Sequence, residues 1–234
     1  MDDRYPIPSP VWPDCHETTL LVKRSRFLTH AARAGSPAEA KAFIEAVSLK
    51  HADATHNCWA YVAGPPGSTA RIGASDDGEP HGTAGRPMLQ VLLHSGIGDV
   101  ACVVTRWFGG IKLGTGGLVR AYQDCVLQCL ESLPCVEKVE TVRLLVEADY
   151  AQLDRVKRLA SQFAASPPAE AYAEKVTFEL EVARSDAGAF ARALAEATDG
   201  RALLMAEDEL DSPGATGRPE SASGPGDPSG PSEG

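Results

Sequence analysis

Three stretches of this chain bring side chains and glycines together in ways that could do chemistry. The first, Ser75-Asp76-Asp77-Gly78-Glu79-Pro80-His81-Gly82-Thr83-Ala84-Gly85-Arg86-Pro87, holds Asp76, Asp77, Glu79 and His81 within six positions. Such a set could serve as general acid and base or hold a divalent cation. The same residues also make a structural loop, because Asp and Gly form turns, Glu79-Pro80 enforces one, and short carboxylates cap nearby amides. The spacing matches no established cation loop, so no metal is expected there.

The second stretch, Gly109-Gly110-Ile111-Lys112-Leu113-Gly114-Thr115-Gly116-Gly117, is placed between a strand and a helix. Amides at a helix N-terminus attract anions, and Gly109, Gly110, Gly114, Gly116 and Gly117 would let backbone approach one closely. Lys112 and Thr115 are the residue types of a phosphate grip. The Walker spacing is absent, since Lys112 precedes Gly114, so a nucleic-acid or ribosomal phosphate fits better than ATP. Arg86, Arg106 and Arg120 can join Lys112, with bidentate geometry suited to phosphate. They can equally pair with Asp76, Asp77 and Glu79 and brace the two loops.

In the third stretch, His56 and Cys58 share a strand face, as a metal pair or a nucleophile with its base would. No third residue completes either set, and a hydrogen-bonded histidine beside a buried thiol accounts for both. Trp107 and Phe108 could stack on a base. Aromatic residues at a strand end commonly close a core, so Phe108 is expected inside and Trp107 is left open.

The elements that must position these residues follow from pattern. Thr19 to Ala32 reads as a strand or strand pair, and Ser36-Pro37-Ala38-Glu39 opens a helix to about Leu49 with an N-cap, a first-turn proline and a capping-box glutamate. Thr55 to Ala63 and Ala70 to Ala74 read as paired strands, Met88 to His94 as a short helix. Val100 to Val104 is a continuous apolar run typical of a central strand. Leu118, Tyr122, Val126, Cys129 and Leu133 lie on one helical face. After a boundary at Pro134 the pattern restarts as βαββαβ, with Val176, Phe178, Leu180 and Val182 alternating against polar neighbours as in a ferredoxin-like domain. The expected organisation is a lead-in over 1–17, a first domain over 18–133, a second over 134–210, and a disordered Ser-, Gly- and Pro-rich tail over 211–234.

Composition narrows the function. With 234 residues and 43% hydrophobic residues the chain can build packed cores. No run approaches a membrane span and the start lacks a signal peptide's apolar region, so a cytoplasmic protein without membrane contact is expected. The six cysteines form no CxxC pair and read as reduced thiols, mostly in cores. Through residue 133, 12 Lys and Arg face 13 Asp and Glu, a net −1, so −9 of the −10 lies beyond. An acidic chain is a poor general binder of phosphate backbone, which confines any nucleic-acid contact to the first half.

SDDGEPHGTAGRPML, RWFGGIKLGTGGLVRAY and HNCWAY together resemble the YigZ/IMPACT family over residues 18–133, and the remainder resembles the C-terminal domain of its bacterial members. The resemblance implies an α+β chain: an N-terminal domain of ribosomal-protein type, shared with domain four of elongation factor G, then a ferredoxin-like domain similar to that factor's last one. In eukaryotic members the family domain is tied to control of translation initiation, behind a further protein-binding domain for which this chain has no room. What carries over is an expected contact with a ribosome, RNA or translation factor, made by a non-enzymatic protein without cofactor. The alternative is an enzyme acting on a small anionic or phosphorylated substrate through Asp76, Asp77, Glu79 or His81. Partner identity and oligomeric state do not follow from the sequence.

Overall fold

The computed structural model describes residues 3–165 and 169–206 and divides into two units, residues 1–140 and 141–234. The expectation for the tail at 211–234 lies outside the described residues.

The first unit is built on a five-stranded antiparallel sheet. Along the chain come β1 (Arg4–Pro8), β2 (His16–Val22), β3 (Ser25–Arg33), α1 (Pro37–Lys50), β4 (His56–Val62), β5 (Ile72–Ser75), α2 (Gly85–Leu93), β6 (Val100–Trp107), α3 (Thr115–Ser132) and β7 (Cys135–Val139). The sheet order is β2-β3-β6-β4-β5, so the apolar run at Val100 to Val104 is central as its pattern requires. Alternation divides β6 between two faces. Val100, Cys102 and Val104 pack with Met88 of α2 and Tyr122 and Val126 of α3, whereas Ala101 and Val103 pack with Phe43 and Val47 of α1. Ser36 caps α1 by accepting the Glu39 amide at 3.2 Å, as its sequence signature indicates.

The structure departs from the sequence pattern in three places. The lead-in over 1–17 is not irregular throughout: β1 pairs antiparallel with β7, from Arg4 opposite Val139 to Pro8 opposite Cys135. Pro6 and Pro8 obscure this strand in sequence, yet a two-stranded ribbon tolerates proline on its unpaired side. That pairing also moves the division between units from Pro134 to Glu140/Thr141. In addition, α2 starts at Gly85 rather than Met88, because the Asp76 carboxylate supplies acceptors for its first amides.

The second unit contains β8 (Thr141–Ala148), α4 (Leu153–Gln162), β9 (Ala169–Tyr172), β10 (Val176–Ala183), α5 (Ala187–Thr198) and β11 (Leu203–Ala206). Its antiparallel order β11-β8-β10-β9 is the ferredoxin-like arrangement. Val176, Phe178, Leu180 and Val182 face Phe190 and Leu194 of α5 across one core.

One buried group gives the first unit a pH dependence. His30 of β3 is fully buried, and desolvation pushes its imidazole down to about 4, although Glu17 pulls upward; His51 and Lys50 also push down. The unfolded chain therefore binds this proton first. Stability from keeping His30 neutral is present above the ordinary value of 6.5 and is lost as pH falls toward 4. Urea unfolding should show a loss of about 3 kcal/mol across that window, and a folded His30→Gln variant should lose most of the slope. An unchanged slope would mean that His30 does not govern it.

Candidate functional site

The carboxylate loop leaves β5 through a tight turn in which Asp77 (φ +42°) and Gly78 (φ +82°) are left-handed and the Glu79 amide donates to the Asp76 carbonyl at 2.9 Å. The Asp76 carboxylate accepts from the amides of Gly82 (2.7 Å), Ala84 (3.0 Å) and Gly85 (2.9 Å). Partial burial pushes this carboxyl upward, but the three amides outweigh it and hold it below the ordinary value. Asp77 accepts the Asn57 amide at 2.5 Å. Both side chains thus serve the backbone, and His81 is exposed, 3.7 Å from Asp76. These contacts support the structural reading of this part of the loop.

Glu79 alone turns inward. Its side chain, 3% exposed, pairs with Arg106 of β6, 7% exposed, and accepts from the Tyr122 hydroxyl of α3 at 2.9 Å. The bracing pair therefore forms between Glu79 and Arg106, while Arg106 Nε is buried without a partner among the described residues. His56 donates Nδ1–H to the Asp77 carbonyl at 2.7 Å, which leaves Nε2 3.9 Å from Glu79. Cys58 Sγ lies 2.9 Å from the Asp76 carbonyl and 3.3 Å from the Tyr122 oxygen. Burial drives both the thiol and the phenol far above their ordinary values, so Cys58 is a packed thiol and not a nucleophile near neutral pH. The sequence pattern assigns Tyr122 only to the apolar face of α3; its hydroxyl, which needs a partner once buried, is the signal that could have tied it to the site.

The glycine loop crosses the end of the β2–β3 hairpin, whose two-residue turn holds Lys23 (φ +44°) and Arg24 (φ +66°) left-handed. Gly109 donates to Ser25 Oγ at 3.2 Å, and a Cβ built on it would lie 2.0 Å from the Arg24 carbonyl group. Gly114 (φ +76°) is the cap residue of α3 and offers no side chain to its first turn. Gly110 and Gly116 are exposed and Gly117 is half-buried.

Between this loop and the carboxylate loop lies a cavity of about 370 Å³. Pro80, Phe108, Leu113 and Leu118 form its apolar walls, and His56, Glu79, Arg106, Lys112 and Thr115 its polar ones. Phe108 is 47% exposed, contrary to the expected core position. Arg106 points to the α3 side, so alternation sends Trp107 the other way, where it donates to Asp53 at 2.8 Å under the Arg26 guanidinium; its amide-bearing successor Phe108 is held outward by Thr55 at 3.0 Å. Lys112 is exposed and has no ion pair among the described residues. Arg86 and Arg120 are exposed on α2 and α3 but do not line the cavity. A larger cavity of about 540 Å³, lined in part by Val91, Leu127 and Leu130, lies at α2 and α3 and lacks this concentration of charged groups.

Residues 23–130 match the Impact N-terminal domain, and residues 146–201 match a domain of unknown function, DUF1949. The chain is 39% identical to the IMPACT family member YigZ of Escherichia coli over 188 residues, covering 80% of this chain and 92% of that protein. It is also 39% identical to the IMPACT family member YvyE of Bacillus subtilis over 194 residues, covering 83% and 88%. Similarity to Protein IMPACT-A of Xenopus tropicalis, 37% over 105 residues, spans 44% of this chain and 32% of that one. A crystal structure of a hypothetical protein superposes with a TM-score of 0.66 at 37% identity, over 88% of this chain and 98% of the other. No helix among the described residues is long and apolar enough to cross a membrane.

Proposed function

The chain belongs to the IMPACT family, and from that premise we propose that it is a non-enzymatic, translation-linked protein whose first unit binds RNA at the cavity beside the glycine loop. The observation that carries this reading is the shared rim: exposed Phe108, Lys112 without an ion pair among the described residues, and the N-terminus of α3 border one opening. An aromatic face stacks with any base, while an ammonium and helix amides donate to the adjoining phosphate. The volume suits a single nucleotide-sized group. Glu79 does not repel it strongly, being compensated by Arg106. Membership of a family whose eukaryotic members are tied to control of translation supports the translation part of this reading, which places its action in the cytoplasm.

A second reading rests on His56. Its Nδ1 donation fixes the ring with Nε2 toward the cavity, as an acid–base residue for a small phosphorylated substrate would be held. Asp76 and Asp77, bound to backbone amides, do not contribute to it.

Co-sedimentation with ribosomes and separated subunits, at low and moderate salt, tests the first reading. The wild-type chain should pellet in a salt-sensitive manner, the Phe108→Ala/Lys112→Ala variant should stay in solution, and His56→Ala should still pellet. Absence of association at every salt concentration, together with turnover of a phosphorylated compound that His56→Ala abolishes, would replace it with the second.

A further inference from the structure

We propose that Cys15, Glu17 and His30 form a binding site for a divalent transition-metal ion of the zinc type, on the β2–β3 hairpin away from the cavity beside the glycine loop. The placement follows from strand geometry. Cys15 immediately precedes β2, with its thiol beside the Glu17 carboxylate, and the register sets Glu17 directly opposite His30. Cys15 Sγ lies 3.7 Å from Glu17 Oε1 and 3.8 Å from His30 Nδ1, and these last two atoms are 3.1 Å apart. Zinc bonds to sulfur, nitrogen and oxygen in a tetrahedron require donor separations of about 3.3–3.6 Å, so small side-chain adjustments suffice. One thiolate, one imidazole and one carboxylate suit Zn²⁺ or Co²⁺, whereas Ca²⁺ and Mg²⁺ require oxygen-rich shells. Three protein donors leave the fourth position to water.

The surroundings fit such an ion. His30 is fully buried and its Nε2 has no hydrogen-bond partner among the described residues; the Nε2 of His51, whose ring is centred 5.0 Å away, also lacks one there. Unpartnered buried nitrogens mark a polar site whose hydrogen bonding is incomplete. Binding would move the His30 proton from Nδ1 to Nε2, release the Cys15 proton to solvent, and form metal bonds to Sγ, Nδ1 and a Glu17 oxygen. Lys50, now 3.2 Å from that oxygen, is 53% exposed and free to swing into water as the metal takes its place. Its competition, with the need to deprotonate Cys15, makes affinity rise with pH. Sequence reading missed this cluster because its members come together only through the hairpin register.

Calorimetric titration of chelator-treated protein with Zn²⁺, paired with Co²⁺ absorption, tests the site. One equivalent should bind, Co²⁺ should give a thiolate charge-transfer band, and Cys15→Ser or Glu17→Gln should weaken binding by more than about 10-fold, while Cys135→Ser leaves it unchanged. Cys15 and Glu17 are not fully buried, so these variants avoid the folding risk of replacing His30. No uptake by the wild type, or equal affinity in Cys15→Ser, overturns the proposal.

Discussion

Glu79→Ala should lower the free energy of unfolding of the first unit by about 3–5 kcal/mol, the range for breaking a buried ion pair from one side. The substitution leaves the Arg106 charge, 7% exposed, without its carboxylate and removes the acceptor of the Tyr122 hydroxyl. Arg106 already has one unpartnered nitrogen, so it has little hydrogen bonding in reserve. Glu79→Gln, which retains an acceptor for Tyr122, should cost less. The paired Glu79→Leu/Arg106→Met replacement should recover much of the loss, since no buried charge remains. Denaturant unfolding followed by Trp fluorescence decides the matter. A Glu79→Ala midpoint equal to that of wild type would mean that the pair does not brace the two loops.

A comparably large effect is expected at Gly109. The Cβ of Gly109→Ala would sit 2.0 Å from the Arg24 carbonyl carbon and oxygen, and both partners are backbone, so neither can turn aside. Relief requires the glycine loop to separate from the hairpin, at a cost of about 3 kcal/mol or more. It would also break the 3.2 Å bond from Gly109 to Ser25 and disturb Phe108 beside it. Gly116 provides the contrast, because nothing lies within 4 Å of its added Cβ. In helix α3, Gly116→Ala should be neutral or mildly stabilising. Thermal melts of the two variants side by side should separate sharply; equal melting would remove the close approach as the reason for Gly109.

The legible parts of the chain are those governed by local rules. The Ser36 cap, the apolar run of β6 and the alternation of Val176 to Val182 each satisfy a short-range requirement, and each marks its element correctly. Strand β1 was not legible because its partner lies about as far away as the first unit allows, and its prolines argue locally against a strand. Phe108 was misplaced since strand alternation ends at Trp107, after which the Thr55 contact, not periodicity, sets its direction. In the carboxylate loop, three acidic residues look alike in sequence, yet Asp76 and Asp77 face amides and only Glu79 faces a cation. That distinction depends on Arg106 arriving from β6 and Tyr122 from α3, both distant in the chain. Of the residues expected to bind a phosphate, Lys112 and Gly114 line the cavity, whereas Arg86 and Arg120 lie off it, because sequence composition does not place a helix-surface arginine relative to a loop.

The most direct test of the cavity as an RNA site is a fluorescence-anisotropy titration of a short single-stranded RNA at several salt concentrations. The wild-type chain, Phe108→Ala/Lys112→Ala and Arg120→Ala would be compared. Loss of one stacking contact, worth about 1–3 kcal/mol, should weaken the double variant by about 5- to 150-fold, and loss of one phosphate contact should flatten its log–log salt slope by about 0.7. Arg120→Ala, off the cavity, should change neither strongly. Equal affinity and slope in the double variant and wild type, or no RNA binding by either, would contradict the assignment.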